Sequence, residues 1–270
     1  MSGTLFVVAT PIGNLGDLSE RARTVLASCD LILAEDTRQT AKLCVRYGIP
    51  THVESYHKFS EKGKLEHYLT LLAEGKLLAL VSDAGTPAVS DPGKYLVAAA
   101  LDRGIRVSPL PGPSAAAAAF SVSGMTADRF LFGGFLPAKG AERVRDLETL
   151  LAVGLPVVIY ESPNRAVDLL ELLAPRCERV VVCRELTKEF EELFVYTGAP
   201  VIEKGEFTVV ASPRIAPPRT VPPADPERDR ILATLSVKDG VALLTRLYPD
   251  IAPNRLKEWL YARRKESAEF

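Results

Sequence analysis

Short apolar runs alternate with stretches of helical period along this chain. Leu5 to Ala9 is apolar, partly β-branched and stopped by Thr10-Pro11, the pattern of a buried strand. A helix is predicted from about Asp17 to Ser28, a strand over Leu31 to Ala34, and a helix over Thr37 to Tyr47 with Gly48 as its stop signal. Ser60 to Glu74 reads as a helix ended by Gly75, and Leu77 to Val81 as a third strand. Pro92 to Arg103 follows as a helix with Asp91 as its N-cap, then Ile105 to Leu110 as a fourth strand. Strands separated by helical stretches of this length need crossovers and so predict a mainly parallel sheet.

Pro111-Gly112-Pro113-Ser114 breaks the pattern, and an alanine-rich helix runs from Ala115 to about Val122. Strands are expected at Phe130 to Phe132, Val157 to Tyr160, Val180 to Cys183 and Phe207 to Ala211, with helices at about Ala141 to Leu151 and Arg165 to Leu173. Leu193 to Tyr196 adds an antiparallel strand, so this half reads as a mixed sheet. The expected organisation is an α/β domain over 1–113, a second over 114–213, a Pro-rich linker over 214–226 and a small helical tail over 227–270. The tail should hold helices near Arg228 to Leu235, Lys238 to Tyr248 and Asn254 to Lys265.

Composition narrows the class. Over 270 residues, 47% are apolar and 25% charged, enough for two cores. The net charge of -1 gives no strongly basic field, so any nucleic-acid contact must come from a local patch. Cys29, Cys44, Cys177 and Cys183 form no CxxC pair and sit among apolar residues, which reads as reduced core thiols. No metal site is expected. The start, Met1 to Gly13, has no basic segment ahead of its apolar run, and no run reaches the ~18 residues of a membrane span. A cytoplasmic protein without a membrane partner is expected.

Four loops at strand ends carry the candidate chemistry. Thr10-Pro11-Ile12-Gly13-Asn14-Leu15-Gly16-Asp17 lets a ligand approach the backbone, and Glu35 and Asp36 lie about twenty residues on, where a dinucleotide fold keeps its ribose-binding acid. The GxGxxG fingerprint is absent, since only Gly13 and Gly16 match. Ser82-Asp83-Ala84-Gly85-Thr86-Pro87 follows an apolar strand. Asp83 can accept hydrogen bonds from a ribose or an ammonium group, and Gly85 permits close backbone approach. Pro111-Gly112-Pro113-Ser114-Ala115 opens a helix with small residues, and Tyr160-Glu161-Ser162-Pro163 ends the second half's central strand. One shared cleft is the economical explanation.

Taken together, the stretches VVATPIGNLGDLS, AEDTR, SYHKF, LVSDAGTPAVSDPG, PLPGPSA, DRFLFGGFLP, YESPNR, RELTKEFEE and KGEFTVV resemble the tetrapyrrole-methylase-like class of S-adenosylmethionine-dependent methyltransferases. Within it they are similar to the branch that acts on small-subunit ribosomal RNA. AEDTR, YESP and RELTK separate that branch from relatives that methylate porphyrins or diphthine. The resemblance implies two α/β domains with S-adenosyl-L-methionine in the cleft between them, leaving as S-adenosyl-L-homocysteine. It further implies 2′-O-methylation of a cytidine, cytidine-1402, in the decoding region of bacterial 16S rRNA, and a homodimer. No DNA partner is implied. By carry-over, Pro11, Asp83, Ala84, Gly85, Thr86, Val89, Pro111, Gly112, Ser114 and Ala115 would contact the donor, and Phe135, Leu136, Tyr160 and Glu161 would close over it. The family often has Gly where this chain has Ala88 and His where it has Asn164.

A ribose hydroxyl is a poor nucleophile at neutral pH, so a base or a charge that lowers its pKa is expected. The candidates are Asp36 with Arg38, His57, Lys139, and Glu161 or Glu185 with Lys188. Asp36 and Arg38 could equally pair or cap a helix, and Glu185 and Lys188 could equally be a helix-face ion pair. Arg38, Lys42, Arg46, His57, Lys58, Lys62 and Lys64 make one basic stretch for RNA, and Arg255, Lys257, Arg263, Arg264 and Lys265 a second. The alternatives are an NAD-dependent oxidoreductase, suggested by the first loop and Glu35, and a non-catalytic ribosome-binding factor docking through its helical tail.

Overall fold

The computed structural model describes residues 3–57, 61–214, 222 and 225–268. The chain divides into two compact units, Met1–Arg214 and Ile215–Phe270.

Unit one holds two five-stranded sheets. The first is built from β1 (Thr4–Val8), β2 (Leu31–Ala34), β3 (Val53–Ser55), β4 (Leu77–Val81) and β5 (Arg106–Leu110), in the order β3-β2-β4-β1-β5 and all parallel. Leu31 to Ala34 are buried throughout, as a strand covered on both faces must be. Helices α1 (Glu20–Ser28), α2 (Thr37–Tyr47), α3 (Glu61–Ala73) and α4 (Lys94–Asp102) make the crossovers. Two apolar cores lie on opposite faces, one around Val8, Leu26, Ile32 and Leu43, the other around Leu5, Leu33, Tyr68 and Leu80.

The second sheet has the order β6-β7-β10-β8-β9. Its strands are β6 (Leu131–Phe135), β7 (Val157–Glu161), β8 (Cys177–Arg184), β9 (Glu192–Val195) and β10 (Phe207–Pro213). Only β6 and β7 pair in parallel; β10 runs antiparallel to β7 and β8, and β9 antiparallel to β8. Helix α5 (Ala115–Val122) covers one face through Ala116 and Ala119, against Val158, Val181 and Val210. Helices α6 (Gly140–Ala152) and α7 (Pro163–Leu173) cover the other. All four cysteines are buried and free.

Unit two contains α8 (Pro226–Thr234), α9 (Val237–Leu247) and α10 (Pro253–Ala268) around Leu232, Leu244, Leu256 and Leu260. Buried Arg228 stacks 4.9 Å from the Trp259 ring and pairs with Asp229 at 2.5 Å. Most of the expected linker lies outside the described residues.

Three sequence expectations need correction. The first helix starts at Glu20, where Ser19 accepts the N–H of Ala22, and a separate 3-10 turn occupies Leu15–Asp17. The strand β3 was not expected, because three half-buried residues carry too little periodicity. Asp91 does not cap α4: Gly93, at φ 120°, occupies that position and the helix begins at Lys94.

Candidate functional site

The three loops after β1, β4 and β5 leave adjacent strands at their carboxyl ends, so they meet at one edge of the sheet. They are stitched together. Thr10 and Gly85 exchange backbone hydrogen bonds at 2.8 and 3.0 Å, and Thr10 Oγ1 donates to the Ser82 carbonyl at 3.1 Å. Thr86 Oγ1 donates to the Pro113 carbonyl at 3.2 Å. Gly85 sits at φ 78°, where a side chain would be strained. The backbone N–H of Asp36 donates to Asp83 Oδ1 at 2.9 Å, which ties in the loop after β2.

Beyond Pro87 the chain makes two left-handed residues, Ala88 at φ 65° and Ser90 at φ 67°. This is the backbone reason a glycine suits position 88. The kinks delay α4 and leave Asp91 on the loop.

The second sheet supplies the facing wall. The Tyr160 hydroxyl accepts the Ala116 N–H at 3.0 Å, at the start of α5, and its ring meets those of Phe132 and Phe135 edge-on at 5.0 and 5.6 Å. Glu161 is fully buried. Arg143 reaches its Oε2 at 2.8 Å and Arg165 its Oε1 at 2.7 Å, and the Ser162 N–H donates to Oε1 at 2.7 Å. Antiparallel pairing places Phe207 opposite Glu161, so Glu206, Phe207 and Thr208 join the same wall.

Between these walls lies a cavity of about 430 Å³. Asp83, Ala84, Gly85, Thr86 and Val89 line it from the first sheet, and Ser114 and Ala115 from the start of α5. Phe135, Tyr160 and Glu161 line it from the second sheet. Pro11 lines instead a neighbouring recess of about 200 Å³ with Gln39 and Lys42. Leu136 is buried in the second sheet's core, and the Cβ that Gly112 lacks would sit 3.0 Å from Ala9 Cβ, a packing role. Pro111 is exposed and outside the lining. Glu161 takes part through its position, since its oxygens are already occupied.

Sequence reasoning missed Glu206 and Thr208, reached Ser90 and Asp91 only as the stretch behind the second loop, and considered Glu35 only as a dinucleotide acid; all of these line the cavity. Glu35, Asp83 and Asp91 form an acidic wall. Burial, then the Asp83 charge, raises Glu35 above the usual carboxylate range. Burial also raises Asp83, against the pull of the Asp36 N–H. Burial, then Glu35, pushes Asp91 up to about 7, while a hydrogen bond with Ser82 acts the other way. Three crowded carboxylates favour a cationic occupant. A sulfonium donor fits this test: it carries a positive sulfur and an ammonium group, and aromatic Phe135 and Tyr160 offer faces for a base.

Apart from Glu161, the expected base candidates lie outside the cavity lining. Asp36 caps α2 and grips Arg38 at 2.6 Å; that hydrogen bond holds it down to about 2. His57 is half-buried, close enough to lower Glu35, and does not line the cavity. Lys139 is exposed ahead of α6 and outside the cavity. Glu185 and Lys188 pair at 2.8 Å across a turn, not on a helix face. Lys188 also pairs with Glu206 at 3.0 Å, so this cluster abuts the cavity through Glu206. Burial would lower Lys188, but its two carboxylate partners outweigh it and raise the ammonium. Burial would likewise raise Glu185, and Lys188 with the Glu206 N–H outweighs it and lowers the carboxyl.

The glycine of the first loop is used differently from the expectation. A Cβ on Gly13 would lie 2.5 Å from Lys188 Cγ and 2.8 Å from the Leu186 carbonyl oxygen. Its bareness lets a loop of the first sheet seat on the Glu185–Lys188 turn of the second, where the Asn14 N–H donates to Thr187 Oγ1 at 3.0 Å. Of the basic residues expected to meet RNA, Lys58 lies outside the described residues, as do the side chains of Lys62 and Lys265.

Comparison with known proteins places this geometry in a family. A family model described as Tetrapyrrole (Corrin/Porphyrin) Methylases matches residues 4–201. A protein of Escherichia coli O157:H7 named ribosomal RNA small subunit methyltransferase I is 41% identical over 91% of each chain. Its namesake in Mesorhizobium japonicum is 42% identical over 87% of this chain and 82% of its own. In three dimensions the methyltransferase CobJ matches 79% of this chain and 95% of its own, with a TM-score of 0.60 at 21% identity, a likeness of fold. These matches overturn the oxidoreductase and the non-catalytic alternatives. The chain belongs to the tetrapyrrole methylase family, in its ribosomal RNA small subunit methyltransferase I branch, and is a methyltransferase.

Proposed function

We propose that this chain uses S-adenosyl-L-methionine to methylate the 2′-oxygen of a cytidine ribose, cytidine-1402, in the decoding region of bacterial 16S rRNA. The observation that carries the reading is the cavity of about 430 Å³ with its acidic wall, in a chain whose relatives bear rRNA methyltransferase names. Its size suits a small-molecule site. Asp83 to Thr86, Val89, Ser114 and Ala115 would hold the donor against Phe135 and Tyr160. Gly85 and the rigid proline-flanked loop set the donor's orientation before the acceptor arrives, which is where positioning lowers the barrier. Pro11, Pro111, Gly112 and Leu136 support those loops from behind.

The division at 113/114 belongs to the same reading, with one α/β domain on each side of the donor and the helical tail from 227 onward. A homodimer fits the exposed Leu193 and Val195 on the edge strand β9. Among the described residues no helix is long and apolar enough to cross a membrane, in keeping with action on cytoplasmic ribosomal subunits.

The test is labelled-methyl transfer to small subunits and to naked 16S rRNA from cells lacking the modification, with nuclease mapping of the product. Label on the ribose of that cytidine is expected. Donor binding by calorimetry without any incorporation into either acceptor would sink the rRNA assignment.

A further inference from the structure

A hydroxyl acceptor must lose a proton, and the groups first considered for that task are either held in ion pairs or, like His57 and Lys139, outside the cavity lining. The oxygens of Glu161 are taken by Arg143, Arg165 and Ser162. Asp36 is bound to Arg38, and Glu185 to Lys188 and the Glu206 N–H. Lys139 stands outside the cavity.

Asp91 has the opposite situation. It is half-buried on the cavity wall, presented by the kinked loop between β4 and α4. Ser82, just after β4, lies close enough to act on it although its hydroxyl donates to the Ala84 carbonyl, Lys94 of α4 is the cation acting on it, and Glu35 and Asp83 act on it from the neighbouring loops. Tyr160 faces it from β7. His57 and Arg38 act one group further out, on Glu35 and Asp83. No ion pair of the described residues takes up its carboxylate.

We propose that Asp91 is the catalytic base of the methyl transfer, accepting the ribose hydroxyl proton inside the cavity. The proposal rests on the donor-and-ribose reading above. The O–H proton passes to an Asp91 carboxylate oxygen, the ribose oxygen bonds the methyl carbon, and the carbon–sulfur bond breaks with its electron pair left on sulfur. One carboxylate charge and one sulfonium charge vanish together, so the step leaves the net charge of the cavity unchanged.

Burial and Glu35 bring Asp91 to about 7, the range in which a base is both ionised and able to hold a proton. A carboxylate must be ionised to accept, so turnover rises with pH through that range. A cationic donor favours the ionised form, so the acid limb of kcat lies at lower pH than that of kcat/KM.

The experiment compares wild type, Asp91→Asn and Asp91→Glu, with donor calorimetry, methyl transfer to unmodified small subunits between about pH 5 and 9, and carbon NMR of the Asp91 carboxyl. Asp91→Asn should lower kcat at least about 100-fold, keep donor Kd within about threefold and erase the acid limb. Asp91→Glu should restore part of the rate. In the wild type the carboxyl should titrate near neutrality and shift to lower pH when donor binds. Unchanged kcat in Asp91→Asn overturns the proposal. So does a weakened donor Kd with kcat recovered at saturation, which would make Asp91 an anchor for the donor's ammonium. Should wild type bind donor but methylate no subunit, the rRNA reading fails separately. An Asp91 carboxyl titrating in the ordinary aspartate range then overturns the base as well.

Discussion

Replacing Arg143 by Met tests whether the Glu161 ion cluster holds the second wall of the cavity. Arg143 is 5% exposed and Glu161 0%, so neither side chain has water to fall back on. Deleting one partner of a buried pair costs about 3–5 kcal/mol, because the other charge stays buried. Here Arg165, 26% exposed, remains on Oε1, which places the loss near the lower end, about 3 kcal/mol. For a unit of this size each kcal/mol moves Tm by about 2–4 °C, so a drop of about 6–12 °C is expected. The informative control is Arg143→Met with Glu161→Leu, which buries neither charge and should recover most of the loss. Far-UV circular dichroism melts of the two singles and the double close a thermodynamic cycle. A Tm change below about 2 °C in Arg143→Met, or a double mutant that sums the two singles, refutes the reasoning. Because the Ser162 N–H hangs on the same carboxylate, donor affinity by calorimetry should fall with stability in Arg143→Met.

Gly13→Ala should cost about 1–3 kcal/mol by urea denaturation, since the new methyl meets the Glu185–Lys188 turn at 2.5 Å; Gly16→Ala, whose nearest neighbour is Asn14 Oδ1 at 3.1 Å, is the mild control. Ala88→Gly should raise stability by about 1 kcal/mol, because the native φ of 65° strains an alanine and not a glycine. Equal urea midpoints would count against that strain. Asp91 binds its proton up to about 7 when folded and releases it near 3.8 when unfolded, so the native state holds more protons between these values. Stability therefore declines as pH rises through that window, and Asp91→Asn should flatten the decline. Identical slopes in wild type and variant would refute it.

The elements with strong local signals were readable from the sequence. Gly48 stops α2 in the left-handed conformation, as its position after Tyr47 implied, and Leu77 to Val81 declares a buried strand. The cavity's first-sheet loops were readable because each directly follows such a strand. Glu206 was not, because only the antiparallel pairing of β10 with β7 carries it to the Tyr160–Glu161 wall. Arg143 looks like one more charge on an amphipathic helix until its partner on a distant strand is seen. Asp91 misled for a local reason. Ser90-Asp91-Pro92 is a good helix-start sequence, but two left-handed residues turn the loop and hand the capping position to Gly93.

The strand order β3-β2-β4-β1-β5 also bears on how the chain is made. The first strand emerges early, yet its partners are β4 and β5, the nearer of them about seventy residues downstream. At translation speeds of about 5–20 residues per second, β1 waits roughly 4–14 seconds for a neighbour. Through that interval its apolar Phe6-Val7-Val8 edge is open to any other strand, an aggregation hazard of long-range parallel pairing. The placement that gathers the loops after β1, β4 and β5 at one edge of the sheet thus leaves this strand without a neighbour until β4 has been made.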